Sequence, residues 1–356
     1  MQRILSWLQA RLADQQLVML LASLFIIFAL LIILGDVLAP LIFAIALAYV
    51  LDDVIVLLRR FQVPRIIAVV LVLCGAFLIV LFSMLTVLPL LTDQIGKLVA
   101  QAPQLIASTR EVIQQFHANY VSWMNPDYLQ QLVANGVNKM QEWGGALLSV
   151  SIASIPGLIT LLVYVILVPV LVFFLLKDKA LVMEWAQRFL PEERSLLQRV
   201  WGEVDIQIGN YIRGKFWESV VVGVAMWLAY EMMGHEYALL LGTLTGISVW
   251  IPFVGAAVVT IPVVLLSLFQ WGWTETMFYG LLAYTVIQLI DANVIIPWMF
   301  SEMVNLHPIA IIVAVLVFGS LWGVLGVFIA IPMAALVQSV LTIIFERKRA
   351  TEPMPD

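Results

Sequence analysis

The sequence predicts an all-α integral membrane protein that crosses the bilayer several times. Two observations carry this prediction. Hydrophobic residues make up 63% of the 356 residues and charged residues only 12%, and the apolar residues are gathered in runs about as long as a membrane-spanning helix. A soluble domain is typically about 45–50% apolar and about 25% charged. This composition cannot supply a matching water-facing surface, whereas a bilayer suits it.

The apolar runs set the number of membrane segments. About 20 apolar residues cross the hydrocarbon core, and six runs fit one span each: 17–34, 37–57, 66–90, 154–176, 216–233 and 275–298. Two further runs, 237–269 and 308–345, are too long, because at about 1.5 Å per residue each would reach about 50 Å or more. We therefore expect one polytopic domain over residues 1–356 with about eight membrane segments, two of them broken or re-entrant.

The basic residues predict the orientation of the chain. All but three of the 18 Lys and Arg residues lie outside the segment 91–150, in positions that flank the predicted spans. Positive charge in short loops marks the cytoplasmic side. We expect a bacterial inner-membrane protein with both termini in the cytoplasm. The segment 91–150 would be a small periplasmic helical insertion, 177–215 a cytoplasmic helical loop, and 216–345 the transport core.

The two long runs are interrupted by residues that disturb helices. Proline removes a backbone donor, and glycine tolerates the conformations that a turn needs. Each run is expected to be either a broken span or a re-entrant hairpin, and charge placement does not decide between them. Paired interrupted segments point to a transporter's substrate site, although ordinary kinks are the alternative. The interruptions are Trp250-Ile251-Pro252-Phe253-Val254-Gly255 and Gly319-Ser320-Leu321-Trp322-Gly323-Val324-Leu325-Gly326.

Both interrupted runs also contain two glycines four residues apart, Gly242/Gly246 and Gly319/Gly323. Small residues at this spacing let helix backbones approach closely in a membrane. We therefore expect close helix packing at both pairs.

Asp291 is the sharpest functional candidate, because ionisable groups inside a membrane are costly and mark function by default. Gln288 precedes it by three residues on the same helical face, whereas Asn293 lies about 200° round the helix. The carboxylate could bind a cation, take up a proton or hold a polar group of a substrate. A structural hydrogen bond to a neighbouring helix is the alternative.

A second group of candidates surrounds the start of the last apolar run. In the sequence Asn305-Leu306-His307-Pro308, Asn305 suits a helix cap and Pro308 a first helical turn, so helix-start architecture is an alternative to a ligand site. The complete predicted substrate or ion pathway comprises Asp291, Gln288, Asn293, Pro252, Gly255, Asn305, His307, Gly319, Gly323 and Gly326.

Several functions are excluded at the sequence level. The net charge of −5 provides no basic field for nucleic acid. The run from Gly209 to Lys215 imitates a phosphate-binding loop, but Phe216 replaces the required Ser or Thr and no strand precedes it. The three histidines are too scattered for a metal site. We expect no enzyme, no cofactor and no bound metal.

Eight short motifs resemble the autoinducer-2 exporter family of permeases, and most closely its PerM-type branch. The strongest match runs from Asn293 to Ala335, and the weaker matches lie earlier in the chain. The resemblance implies a bacterial inner-membrane protein, often a homo-oligomer, that contacts lipid and moves a small molecule or ion. The matching motifs are Phe173-Phe174-Leu175-Leu176-Lys177-Asp178, Tyr211-Ile212-Arg213-Gly214-Lys215, Ile251-Pro252-Phe253-Val254-Gly255, Asn305-Leu306-His307-Pro308, Phe318-Gly319, Trp322-Gly323, Leu325-Gly326 and Ala330-Ile331-Pro332.

The expected function is a secondary transporter that exports a small polar solute of the autoinducer-2 kind, with coupling to protons as an open option. Among the members of the family, some are assigned to export of autoinducer-2 and others to sodium (or lithium)/proton antiport. A cation/proton antiporter is therefore the first alternative. The second is a non-transporting membrane scaffold that docks a partner through 91–150 or 177–215.

Overall fold

The structure, a computed structural model, describes residues 15–119, 155–188, 195–252, 254–300 and 307–351, with single positions between 131 and 145. All regular secondary structure in these ranges is helical, as expected. The helices are α1 Gln15–Arg60, α2 Arg65–Asn119, α3 Ile155–Lys177, α4 Lys179–Gln187, α5 Ser195–Met232, α6 Ala238–Ser248, α7 Val254–Trp271, α8 Glu275–Ile290, a π-helix Asp291–Ile295, α9 Ile296–Phe300 and α10 Pro308–Thr351.

Helix α1 corrects the expectation of two separate spans at 17–34 and 37–57. It runs from Gln15 to Arg60 as one helix of 46 residues, with Pro40 inside. The chain therefore does not reverse at Gly35 and Asp36. Neither residue removes a backbone donor, and a single proline removes one ladder bond without ending a helix whose neighbouring turns stay paired. At about 1.5 Å per residue, α1 would reach about 69 Å.

Helix α2 joins the third predicted span to the start of the segment 91–150, because it continues for 55 residues to Asn119. The described part of this segment has a buried face: Leu98 is buried, and Leu91 and Ile95 pack against the same apolar cluster. The rest of 91–150, apart from single positions, lies outside the described residues.

Four described helices are long and apolar enough to cross a membrane. They are Val37–Arg60, Arg65–Gln101, Val254–Trp271 and Glu275–Met299. Shorter apolar helices cover Val163–Lys177, Ala238–Ser248, Pro308–Gly323 and Leu325–Val340. Large apolar side chains such as Ile79 and Leu85 are exposed along α2. A surface of this kind is stable in a bilayer and unstable in water.

The chain divides into two compact units. The first comprises Met1–Leu73, Tyr164–Gly214 and Glu302–Asp356, and the second comprises Cys74–Val163 and Lys215–Ser301. In the first unit, ion pairs connect α1 with α4 and α5. Arg213 Nη1 donates to Asp53 Oδ1 at 2.7 Å, and Lys179 Nζ lies 3.7 Å from Asp52 Oδ2.

The second unit has an apolar core in which α6 and α7 form a helical hairpin. Buried side chains from both helices meet in one cluster, among them Leu241, Val263 and Leu266. Helix α6 ends at Ser248 and α7 begins at Val254, so the chain breaks where Pro252 predicts. The turn is tight, because a Cβ on Gly255 would lie 1.8 Å from the Ser248 carbonyl oxygen.

The first unit contains a second hairpin, formed by the two arms of α10. The backbone leaves helical geometry at Trp322 and at Gly323, whose φ of 57° favours glycine. A Cβ on Gly326 would lie 1.8 Å from the Phe318 carbonyl oxygen. Residues eight apart in a straight helix are separated by about 12 Å, so the chain reverses between these two positions. The interruption predicted at Gly319–Gly326 is therefore present.

Candidate functional site

A buried ion pair lies on the second unit's part of α5. Lys215 and Glu218 are 7% and 1% exposed, and the Lys215 ammonium is 2.8 Å from the Glu218 Oε1 and 2.8 Å from its Oε2. The two residues are three positions apart, which places them on one helical face. A pair of opposite charges at this depth is stable only when hydrogen bonds satisfy the charged atoms.

The same ammonium is bound to the end of the α6 helix. Lys215 Nζ donates to the Val249 carbonyl oxygen at 3.0 Å, and Val249 is the C-cap of α6. The last carbonyls of a helix lack intrahelical partners and carry partial negative charge. The cation therefore stabilises the end of α6 next to the break at Pro252.

Asp291 adds a second carboxylate to this group. It is 6% exposed, and it interacts electrostatically with both Lys215 and Glu218. Its Oδ1 atom is buried and has no hydrogen-bond partner among the described residues. Asp291 also begins a π-helix of five residues between α8 and α9. Single π-helical turns are rare and occur frequently at functional sites.

The three residues form what we call the acidic cluster: Lys215, Glu218 and Asp291. When all three are ionised, one positive charge faces two negative charges, which leaves an excess charge of about −1 by elementary accounting. An uncompensated charge is expensive away from water. The acidic cluster is therefore suited to accept a proton or a cation.

Small residues bring α6 close to α5 beside the acidic cluster. A Cβ on Gly246 would lie 2.7 Å from the Ser219 carbonyl oxygen, and one on Gly242 would lie 2.8 Å from the Gly223 carbonyl oxygen. Ser219 Oγ also donates to the Gly246 carbonyl oxygen at 2.7 Å. The close packing predicted from Gly242 and Gly246 is confirmed.

The predicted residues of the second unit have different environments. Gln288 donates to the Tyr284 hydroxyl at 3.1 Å, and that hydroxyl is 2.7 Å from Thr260 Oγ1 on α7. Asn293 is exposed and donates to the carbonyl of Leu289, four residues earlier in α8, at 2.8 Å. The roles of these residues, and of Pro252 and Gly255 at the hairpin turn, stay predictions.

The predicted residues of the first unit surround the α10 hairpin. His307 is exposed, and its Nδ1 accepts from the Ile309 amide at 3.3 Å, which is the arrangement of a helix start. Asn305 lies outside the described residues. Gly319 and Gly326 are at the turn, where a Cβ on Gly319 would meet only the Val327 side chain, at 3.1 Å. The close helix packing expected at Gly323 is wrong, because nothing lies within 4 Å of the position of its Cβ. Gly323 instead has a positive φ of 57°.

Sequence reasoning missed Lys215 and Glu218. Lys215 was assigned to a cytoplasmic loop with the other basic residues, whereas it is buried. One signal could have found the pair: opposite charges at a spacing of three at the start of an apolar run. The phosphate-loop imitation from Gly209 to Lys215 lies within the continuous helix α5, which is not the strand–loop–helix geometry of a nucleotide site.

Comparisons with known proteins agree with the membrane fold. The family model described as "AI-2E family transporter" matches residues 18–346. The chain is 40% identical over 342 residues to the "Putative permease PerM" of Escherichia coli K12, which covers 96% of this chain and 97% of the relative. It is 26% identical over 310 residues to the "Putative transport protein YueF" of Bacillus subtilis, over 84% of this chain and 82% of the relative.

Proposed function

The chain belongs to the AI-2E family of transporters, and from this premise we propose that it is a proton-coupled secondary transporter that exports a small polar solute. The family identity supports transport and not catalysis. One observation supports the coupling: Asp291 is a buried carboxylate that interacts electrostatically with Lys215, and its Oδ1 has no hydrogen-bond partner among the described residues. A buried acid of this kind can change its protonation during a transport cycle.

The geometry of the α6–α7 hairpin supports a solute path that passes near its turn. Its first arm has 11 residues, and at about 1.5 Å per residue it reaches only about 16 Å, against about 30 Å of hydrocarbon. This length favours a first arm that re-enters without crossing, whereas the second arm, α7, has 18 residues and is long enough to cross. Half-helix ends inside a membrane are typical ligand sites of transporters, and the α6 end already binds the Lys215 ammonium.

The test is transport by the purified full-length protein in proteoliposomes with an imposed pH gradient. An autoinducer-2-type furanone and a neutral sugar of similar size serve as solutes. We expect pH-dependent flux of the furanone, and we expect Asp291→Asn to reduce it at least tenfold. Glu231→Gln is the matched control, because Glu231 is an exposed acid on α5 outside the predicted pathway. Equal flux in Asp291→Asn and the unsubstituted protein would remove Asp291 from the mechanism.

A second candidate function, sodium (or lithium)/proton antiport, is favoured by the excess negative charge of the acidic cluster. In the same vesicles, a sodium or lithium gradient would then drive proton movement without any organic solute. Cation-driven proton flux alone selects this candidate. Absence of both fluxes, together with a stoichiometric partner on purification, selects a membrane scaffold.

For the topology, we propose an inner-membrane protein whose carboxyl terminus is cytoplasmic and which assembles as a homo-oligomer. The amino terminus was expected on the same side, yet an uninterrupted α1 that crosses once would place it opposite Arg59 and Arg60. Thiol labelling at Ser6→Cys and Thr351→Cys, with Cys74→Ala removing the single native cysteine, locates each terminus. Native mass spectrometry counts the subunits.

A further inference from the structure

Three apolar helices have an end at one place in the first unit. One candidate membrane span ends at Arg60 in α1 and the next begins at Arg65 in α2, and the apolar part of α3 ends at Lys177. Arg65 joins these ends, because its Nε and Nη2 donate to the Leu176 carbonyl oxygen at 3.1 Å and 2.7 Å. The last carbonyls of a helix lack intrahelical partners. The Arg65 guanidinium therefore caps α3 and holds its end beside the turn between α1 and α2.

The turn after α1 carries two accessible cations. Arg59 and Arg60 are exposed, and among the described residues neither guanidinium has a carboxylate partner. The nearest acid along α1, Asp53, is already bound to Arg213 at 2.7 Å. The turn itself is closed by backbone hydrogen bonds, one of them from the Gln62 amide to the Arg59 carbonyl oxygen at 3.0 Å. A guanidinium binds phosphate oxygens through paired hydrogen bonds, and both arginines are open to such a group.

Two lysines at the end of α3 add to this positive charge. Lys177 Nζ lies 3.6 Å from Asp178 Oδ2, and Lys179 Nζ lies 3.7 Å from Asp52 Oδ2. These ion pairs are long and partly exposed to solvent, and pairs of this kind contribute little to stability. Both ammonium groups can therefore exchange a carboxylate for a phosphate. Since the arginines of the turn have no carboxylate, positive charge is in excess here.

Apolar side chains are exposed beside these cations. Phe61 is 73% exposed, and Phe174, one turn before Lys177, is 49% exposed. The Lys177 ammonium lies 6.0 Å from the centre of the Phe174 ring, so charge and apolar surface are adjacent. Helix α4, which begins two residues later, exposes Leu181 and Trp185, four positions apart on one face. An apolar face beside basic residues is typical of a segment that lies on an anionic membrane.

We propose that Arg59, Arg60, Lys177 and Lys179, which we call the basic corner, bind the headgroup of an anionic phospholipid. The phosphate group contacts the cations, and the acyl chains lie along the exposed phenylalanines. Basic pockets between membrane helices bind anionic headgroups in this way. A soluble anion would leave the apolar side chains uncovered. The inference goes beyond the proposed function, because it concerns a lipid that stays with the protein and not a solute that crosses the membrane.

The test measures lipid binding without transport. The purified full-length protein, delipidated in a neutral detergent, is melted with increasing mole fractions of phosphatidylglycerol or phosphatidylcholine at constant ionic strength. A ligand that binds the folded state raises the melting temperature once its concentration exceeds its Kd. We expect phosphatidylglycerol to act at a mole fraction at least tenfold lower than phosphatidylcholine. Sodium phosphate should have no such effect.

Charge-matched variants locate the site. Arg59→Gln/Arg60→Gln should raise the mole fraction of phosphatidylglycerol for half of the effect at least tenfold, because each basic residue at an anionic surface strengthens binding about fivefold. Arg59→Lys/Arg60→Lys keeps the charge and should retain most of the preference. Lys97→Gln/Lys139→Gln is the matched control, since it removes the same charge from two exposed lysines of the segment 91–150, and it should leave the preference unchanged.

Native mass spectrometry provides a readout that does not depend on stability, by counting the phosphatidylglycerol molecules retained by each protomer. The arginine-to-glutamine variant should retain fewer than the unsubstituted protein. Three results would overturn the proposal. Equal effects of the two lipids would remove the anionic preference, and an equal loss in the lysine control would indicate net charge and not the basic corner. Stabilisation by sodium phosphate alone would indicate a soluble anion in place of a lipid.

Discussion

The two helical hairpins have the same backbone design but different surroundings. In each, a glycine meets the carbonyl of the opposite arm so closely that a Cβ would lie 1.8 Å away, at Gly255 and at Gly326. Neither hairpin contains a charged residue between 238 and 271 or between 308 and 345. The α6–α7 turn is held by the Lys215 cation, whereas the α10 turn is held by aromatic rings. Phe318 and Trp322 stack with ring centroids 5.7 Å apart.

The difference shows that an interrupted apolar segment predicts a helical hairpin but does not by itself predict a functional site. Trp322 contacts Gly35 of α1, where a Cβ would lie 2.8 Å from the indole ring, so the α10 hairpin is fixed by apolar packing. At the α6–α7 hairpin, Lys215 binds the end of α6, pairs with Glu218 and interacts electrostatically with Asp291. Side chains that can respond to proton or cation concentration are present at the α6–α7 hairpin. None is among the contacts described for the α10 hairpin.

The largest expected effect tests the charged side of this comparison. Glu218→Leu leaves the Lys215 ammonium without its main partner, and breaking a buried pair typically costs about 3–5 kcal/mol. The double variant Lys215→Met/Glu218→Leu should regain most of that stability, because an apolar replacement of a buried pair is often neutral, while transport stays lost. Thermal unfolding in detergent measures both. A double variant no more stable than Glu218→Leu would contradict the pair as described.

The next effect is a pH dependence of stability at the open end of the α6–α7 hairpin. His235 lies in the turn between α5 and α6, and burial lowers its pKa from 6.5 to about 4. As the pH falls below 6.5, His235 is protonated in the unfolded chain but stays neutral in the folded protein. The free energy of unfolding therefore decreases between pH 6.5 and about pH 4, by about 3 kcal/mol in all. His235→Phe should remove this loss. Unfolding midpoints between pH 7 and pH 4 provide the measurement.

The two turns should respond alike to an added methyl group. Gly255→Ala and Gly326→Ala each force a Cβ into a backbone carbonyl, and we expect each to destabilise the protein by about 2–3 kcal/mol, as overpacking does. Gly75→Ala is the matched control, because nothing lies within 4 Å of its Cβ position. Melting temperatures of the three variants decide. A strong effect at only one turn would show that the hairpins are not built alike.

The smallest expected effect is backbone strain at Gly323, which distinguishes the α10 turn from the α6–α7 turn. Gly323 has φ 57° and ψ −132°, so Gly323→Ala should cost about 1–2 kcal/mol, because a side chain strains this sparsely populated backbone conformation. Gly319→Ala should cost less, since its Cβ would meet only the movable Val327 side chain at 3.1 Å. Among the described residues of the α6–α7 turn there is no positive φ. Equal melting temperatures for Gly323→Ala and the unsubstituted protein would place the reversal elsewhere.

Composition and hydropathy predicted the helical membrane class, and the helix-disturbing residues predicted both interruptions. These features depend on local chemistry, because Pro252, Gly255 and Gly323 act on the backbone within one or two turns. The continuity of α1 and α2 was not predictable in this way. Gly35 and Asp36 weaken a helix by amounts that packing can offset, such as the contact between Gly35 and Trp322.

The candidate site was predicted in part. Asp291 was found because an acid in an apolar run is rare. The pair of Lys215 and Glu218 was missed because Lys215 ends a charged segment, and hydropathy assigns such a residue to water. The π-helix at Asp291 could not be predicted, since its register depends on hydrogen bonds between turns and not on residue type.

Helix α2 imposes a rule on how this chain can change in length. Gln94 accepts from the Leu240 amide at 2.8 Å, and Gln101 accepts from the Tyr237 hydroxyl at 2.7 Å. The two glutamines are seven residues apart, two turns on one face of an unbroken helix. A single residue inserted upstream, near Phe82, would rotate the face that carries the two glutamines by about 100° relative to the start of α2 and break both hydrogen bonds. An insertion of seven residues would restore the orientation of that face to within about 20°. Viable length variants of this helix are therefore expected to differ by whole heptads.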